Sequence, residues 1–238
     1  MKKELKSLFN NKSGLLVVLT MVMALVIAYL NIITIKSLVI NGTFEISYGT
    51  LLVSFIPMLV GDVLTECYGW KKSFIISSLA YLVSFFFVLV LWGTTLLPGI
   101  VFGGFATDAY NTIFAQQPLL LIASAIAYYA GIFFNCYIMG AMQKKAQQNG
   151  TDGTFAFFAR CMVSTIVGQL LDNALFFVIG YMPNMLDPEQ AEWAITYVWQ
   201  QILAAFVLEG IYELILFPVT KYSVKKVNQL PEIEICEV

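Results

Sequence analysis

The chain has 238 residues, 59% of them hydrophobic and only 12% charged, with a mean hydropathy of +0.80 and a formal net charge of −2. Soluble domains average roughly 25% charged residues, so this composition excludes an ordinary water-soluble fold and places the chain in a bilayer. There is no His, and the four cysteines (Cys67, Cys136, Cys161, Cys236) are far apart with no C-x-x-C spacing. Catalysis by imidazole, a zinc site and a thiol redox pair are all argued against.

Lys2, Lys3, Lys6 and Lys12 precede an apolar run over 15–40. A signal peptide has an apolar core of only ~7–15 residues and a small-residue cleavage site, so this longer run reads as an uncleaved first helix. Asn31, Thr34 and Lys36 interrupt its far end. Further apolar runs lie at 49–67, 73–92, 119–141, 160–182 and 194–218. Each is near the ~20 residues needed to cross ~30 Å of hydrocarbon. The expectation is one all-α integral membrane domain over 1–238 with six transmembrane helices. The segment 93–117 is apolar and glycine-rich (Leu96 to Phe105), too short and broken to span, and reads as re-entrant or interfacial.

Lysines set the orientation. Lys2 to Lys12, Lys71 and Lys72, Lys144 and Lys145, and Lys221, Lys225 and Lys226 fall on one side, while Glu45, Asp108, Asp187, Glu189 and Glu192 fall on the other. Both termini are therefore expected in the cytoplasm, with the tail from Pro231 to Val238 as a mobile end. Lys36 lies on the opposite side from the other lysines. Two readings of it stay open: it snorkels from the helix end, or it faces an inner cavity.

Two stretches carry ionisable groups into the apolar runs. The first is Asp62-Val-Leu-Thr-Glu66-Cys-Tyr-Gly-Trp-Lys-Lys72, whose two acids share a helix face four residues apart. Acids at membrane depth are expensive and usually mark a functional pathway; the bland alternative is an interfacial pair matched by lysines. The second stretch runs from Arg160 to Asn173. Ser164, Gly168 and Asp172 climb one face, flanked by Thr165 and Gln169. Small residues on such a face often serve only close helix packing, but Asp172 does not suit that role. Arg160 is on the same side as Asp62 and Glu66, so an ion pair is geometrically open. Glu209 and Glu213 form a further pair one turn apart in the sixth helix, and either could line a cavity.

The six runs divide into two halves of opposite orientation. Asn31 and Asn135 each lie 16 residues beyond the expected starts of their helices at 15 and 119, and Asp62 and Asp172 lie 13 and 12 beyond 49 and 160. Such matched positions are compatible with a 3+3 inverted repeat around a central site.

The motif Asp-x-x-Thr-Glu-x-Tyr-Gly over Asp62–Gly69, with the basic pair after it, resembles the signature of the bacterial queuosine precursor transporters, earlier described as vitamin uptake transporters. The Arg160…Ser164-Thr165…Gly168-Gln169…Asp172…Phe176-Phe177 run resembles the second motif of that family. Asn31, Asn135 and Pro218 also fall where its pattern puts them, whereas the segment 93–117 departs from it. The resemblance implies a multi-pass protein of the bacterial inner membrane that imports 7-deazaguanine bases such as preQ0 and preQ1. A guanine-like edge presents adjacent N–H donors that a carboxylate accepts in pairs, and its carbonyl and ring acceptors suit amides or Arg. Asp62, Glu66 and Asp172 offer acceptors; Asn31, Asn135, Gln169 and Arg160 offer donors; Ser164 lies on the same stripe. Aromatics supply stacking surfaces.

The resulting expectation is a transporter rather than an enzyme, with no catalytic residues, metal, cofactor or nucleic-acid partner. A homodimer and an energising partner both stay open. The competing reading is the substrate-binding subunit of an energy-coupling-factor importer, for which Ala24 and Ala28 would form a partner-facing small-residue pair. No phosphate-binding loop is present, so the chain does not hydrolyse ATP by itself.

Overall fold

The computed structural model describes residues 9–115 and 117–232. Lys2, Lys3, Lys6, Cys236 and the tail beyond Glu232 lie outside the described residues. The described chain is a helical membrane bundle with one small β-hairpin. In order it comprises helix α1 (Lys12–Ile33), strands β1 (Ser37–Ile40) and β2 (Phe44–Ser47), then helices α2 (Tyr48–Leu52), α3 (Phe55–Tyr68) and α4 (Trp70–Thr94). A single 3-10 turn (Phe102–Gly104) leads to α5 (Thr107–Ala115), α6 (Gln117–Gln148), α7 (Thr154–Gly180), α8 (Met182–Leu186) and α9 (Ala191–Asn228). Among the described residues, five helical stretches are long and apolar enough to cross a membrane, and they contain α1, α4, α6, α7 and α9.

The polarity is that of a protein solvated by lipid. Leu25, Leu79, Val83, Phe86, Phe87, Leu214 and Ile215 are exposed, whereas Asp62, Arg160, Glu209 and Glu213 are buried. Outward hydrocarbon is the favourable state in a bilayer, and polar groups turn inward to find partners.

Two of the expected runs differ from the observed helices. The run over 15–40 is helical only to Ile33. Thr34 closes the helix by donating both its N–H (3.0 Å) and its hydroxyl (2.7 Å) to the Leu30 carbonyl. Residues Ser37–Ile40 then pair antiparallel with Phe44–Ser47, Ser37 opposite Ser47 and Ile40 opposite Phe44. Asn41 and Gly42 both have positive φ (52° and 74°), the backbone of a type I′ turn, which Asn-Gly favours. The hairpin, absent from the all-α expectation, is thus encoded by a β-rich tetrapeptide and a strong turn dipeptide directly after it.

The run over 49–67 is a broken helix. Pro57 has no N–H to give to the Val53 carbonyl, so the ladder fails one turn before it. The Val53 carbonyl accepts instead from Ile56 (3.0 Å), and the Ser54 N–H reaches back to Gly49 (3.1 Å). Beyond the break, α3 has only 14 residues and is the most enclosed helix of the bundle, with Met58 and every residue from Val60 to Thr65 buried. Pro218, by contrast, sits inside α9 without ending it.

Close backbone approaches hold the bundle together. A Cβ at Gly168 would fall 2.7 Å from Asn135 Cβ and 2.9 Å from the Gly131 carbonyl; one at Gly131 would meet Asp172 Cβ at 2.8 Å. Helices α6 and α7 therefore cross in direct backbone contact, which only glycine at both positions allows. Farther along α6, the space beside Gly140 is filled by the Trp70 side chain.

Candidate substrate cavity

The broken helix, α1, α6, α7 and α9 enclose a cavity of about 140 Å³ in the bundle centre. Its apolar walls include Met23, Ile27, Leu30, Met58 and Ile132, and its flat walls are Tyr128 and Phe176. Tyr128 is held in place by stacking on Tyr81 (centroids 4.6 Å apart, 19° between planes) and by donating to the Ser77 carbonyl at 3.1 Å. Phe176 packs edge-on against the buried Phe177 at 5.0 Å.

The polar lining is rich in amides and carboxylates. Asn31 donates from its amide to the Ile27 carbonyl (3.1 Å), while its Oδ1 accepts from Ser124 (2.9 Å). Asn135, 7% exposed, has an Oδ1 to which no described protein group donates. Asn173 gives its amide to the Gln169 carbonyl (2.8 Å) and to both oxygens of the buried Glu209 (3.2 and 3.3 Å). Gln169 and Asp172 line the cavity with them. Asp172 lies against the α6 backbone at Gly131, so its carboxylate is set at the crossing of the two helices. Helix α2 adds Thr50 and the break after it adds Ser54, and non-helical backbone at membrane depth is tolerated where it borders such a polar cavity.

Four of the eight residues singled out from sequence, Asn31, Asn135, Gln169 and Asp172, meet here. The other four do not line the cavity. Arg160, 2% exposed, clamps Glu66 through Nε (2.9 Å to Oε2) and through Nη2 to Oε1, and its Nη1 donates to Asp152 at 2.8 Å. This bidentate geometry is the strong form of the ion pair. Its Cζ lies 4.9 Å from the centre of the Phe157 ring. Ser164 is buried and turns its hydroxyl back to the Cys161 carbonyl (3.1 Å). Asp62 is buried one layer below the cavity, beside Glu213 and Cys161. Lys36 is exposed over the Tyr48 ring, with Nζ 5.8 Å from its centroid, and is not among the lining residues. The Asn31/Asn135 correspondence is thus matched by a shared place in the cavity, and the Asp62/Asp172 correspondence is not.

Glu209, one of the two acids read as able to line a cavity, does so, and Asn173, Ser124 and the aromatic walls, not singled out as binding residues, line it too. Asn173 and Phe176 lie in the second motif, and Glu209 is the deeper acid of its helix, so each carried a signal. Ser124 carried none beyond its place in the fourth run.

The hairpin lies at the opposite end of the bundle from Arg160 and is fastened to α9 by two side-chain amides that imitate a third strand. Gln201 accepts from the Ser47 N–H (2.9 Å) and donates to the Glu45 carbonyl (2.8 Å); Gln200 accepts from the Glu45 N–H (3.0 Å) and donates to the Thr43 carbonyl (2.9 Å). Tyr212 holds the broken helix itself, donating to the Leu51 carbonyl at 2.6 Å.

No curated protein and no solved structure matches the chain. The family described as "Putative vitamin uptake transporter" matches over residues 47–223, from the end of the hairpin through most of α9. That stretch contains the broken helix, both ionisable motifs and most of the cavity. The chain belongs to this vitamin uptake transporter family and is a multi-pass membrane protein.

Proposed function

We propose that the protein imports 7-deazaguanine bases, the precursors of queuosine, across the bacterial inner membrane, and that it performs no chemistry on them. The supporting observation is the composition of the cavity. Two carboxylates (Asp172, Glu209) and four amides (Asn31, Asn135, Gln169, Asn173) surround a space with flat aromatic walls. A deazaguanine edge carries an N–H and an amino group side by side, which one carboxylate accepts together. Its carbonyl and ring nitrogen need donors, which the amides supply. The ring stacks on Tyr128 or Phe176, a contact worth ~1–3 kcal/mol per base. In this reading the six apolar stretches, the broken helix included, cross the membrane, with both termini in the cytoplasm as the lysine asymmetry requires.

The test uses cells that cannot synthesise the precursors. Each base is supplied at low concentration, with and without this protein, and queuosine is measured in tRNA. Restoration by at least one base only when the protein is present is the expected result. No restoration by any of them, with the protein in the membrane, contradicts the substrate assignment.

A further inference from the structure

One layer below the cavity, toward Arg160, lies a polar cluster to which the substrate reading assigns no role. Asp62 is 0% exposed, and no described protein group donates a hydrogen bond to either of its oxygens. Glu213, 1% exposed, accepts from the Thr165 hydroxyl at 3.3 Å through Oε2, while its Oε1 is unpaired. A carboxylate oxygen from each and the Cys161 sulfur lie within 4.8 Å of one another. Arg160, next to Cys161 in the chain, is committed to Glu66 and Asp152. Two bare carboxylates at this spacing in a buried layer repel each other and have lost their hydration, so the site requires added positive charge.

We propose, resting on the transporter reading above, that Asp62 and Glu213 together form the binding site for one proton that is carried through the protein with the substrate. Facing oxygens from two helices suit a shared proton. A sodium ion would need several more oxygens around it than these side chains supply, and the thiol is a poor ligand for so hard an ion; a softer divalent ion would take the thiol. The position suits coupling. Gly61, beside Asp62 on α3, lines the cavity, and so does Glu209, one turn from Glu213 on the same face of α9. The proton enters with the substrate from the external medium, bridges α3 to α9, and leaves on the cytoplasmic side. Both carboxylates are regenerated and nothing else is consumed. The titratable and charged groups around the pair are Cys161 from α7, Glu209 from α9, Cys136 from α6 across Thr65, and Glu66 with its Arg160.

The full chain is reconstituted in proteoliposomes and given radiolabelled 7-cyano-7-deazaguanine. With the medium outside the liposomes made more acid, wild type accumulates the label by up to about tenfold per pH unit for one coupled proton, unchanged when sodium is replaced by choline or a chelator is added. Asp62→Asn and Glu213→Gln lose accumulation but still bind the base in detergent and exchange it at equal concentrations. A second readout does not depend on transport. At neutral pH the infrared difference spectrum of wild type minus the double variant shows a protonated-carboxyl band, since Asp172 and Glu209 contribute equally to both. Accumulation driven by sodium, loss of uptake on chelation, undiminished proton-driven accumulation in the double variant, or an unchanged infrared band would each overturn the proposal. If wild type neither binds nor moves the base, the substrate reading fails, and the infrared band alone then decides the proton site.

Discussion

Glu66 and Asp172 are half-buried acids in the same bundle, yet their surroundings are opposite. Glu66 is clamped by a bidentate Arg160, which also holds Asp152, so both of its oxygens are partnered within the protein. Asp172 faces a cavity and accepts no hydrogen bond from any described residue. The first arrangement is a latch joining α3 to α7; the second has the open acceptors of a binding site. Depth in the membrane shows that an acid is expensive, but only its partners show what it does.

That contrast can be broken most forcefully at the latch. Glu66→Ala leaves Arg160 buried with half its partners gone, which should destabilise the fold by ~3–5 kcal/mol. Thermal unfolding in detergent should fall sharply, with little folded protein recovered. A melting temperature close to wild type would show that the pair is not holding the helices. Asp172→Asn should do the reverse. The melting temperature should hold, while affinity for a deazaguanine base falls by at least ~1–3 kcal/mol, the loss for a buried partner left unsatisfied.

Gly168→Ala tests the crossing that places Asp172. The added methyl would meet Asn135 Cβ at 2.7 Å, and forcing α6 and α7 apart should cost about 1–3 kcal/mol and weaken binding together with stability. Binding and melting measured on one preparation would separate this from the Asp172 effect. Gln201→Leu removes two hydrogen bonds from the hairpin and leaves the buried Ser47 N–H without its acceptor. A stability loss of about 1–3 kcal/mol is expected, with faster proteolysis near Asn41 and binding less affected. Lys36→Met, on an exposed side chain, should change melting and uptake least of all, within about 0.5 kcal/mol.

The membrane class and the long helices were legible because uncharged apolar runs of spanning length are rare outside membranes. Asn31, Asn135, Gln169 and Asp172 were legible because polar side chains are rare inside such runs. The hairpin was hidden by its own hydrophobicity: Ser37-Leu-Val-Ile extends an apolar run, and only Asn41-Gly42 marked the turn. The break at Val53–Ser54 had its cause in view, since Pro57 cannot complete the ladder, but proline does not always break a helix, as Pro218 shows in α9. Arg160, Glu66 and Asp62 were expected at the substrate, with an Arg160 ion pair left open, because spacing along one helix gives a face and does not decide which partner on the next helix it meets. Three-dimensional packing alone separated the latch, the Asp62–Glu213 layer and the cavity.

The most direct test of the substrate cavity is equilibrium binding of 7-cyano-7-deazaguanine to the detergent-purified full chain, wild type beside Asp172→Asn, with adenine as competitor. Saturable binding to wild type that adenine does not displace, weakened at least about fivefold in the variant (the ~1 kcal/mol lower bound of the expected loss), is the predicted result. Absence of binding to wild type, or equal affinity in the two proteins, would contradict it.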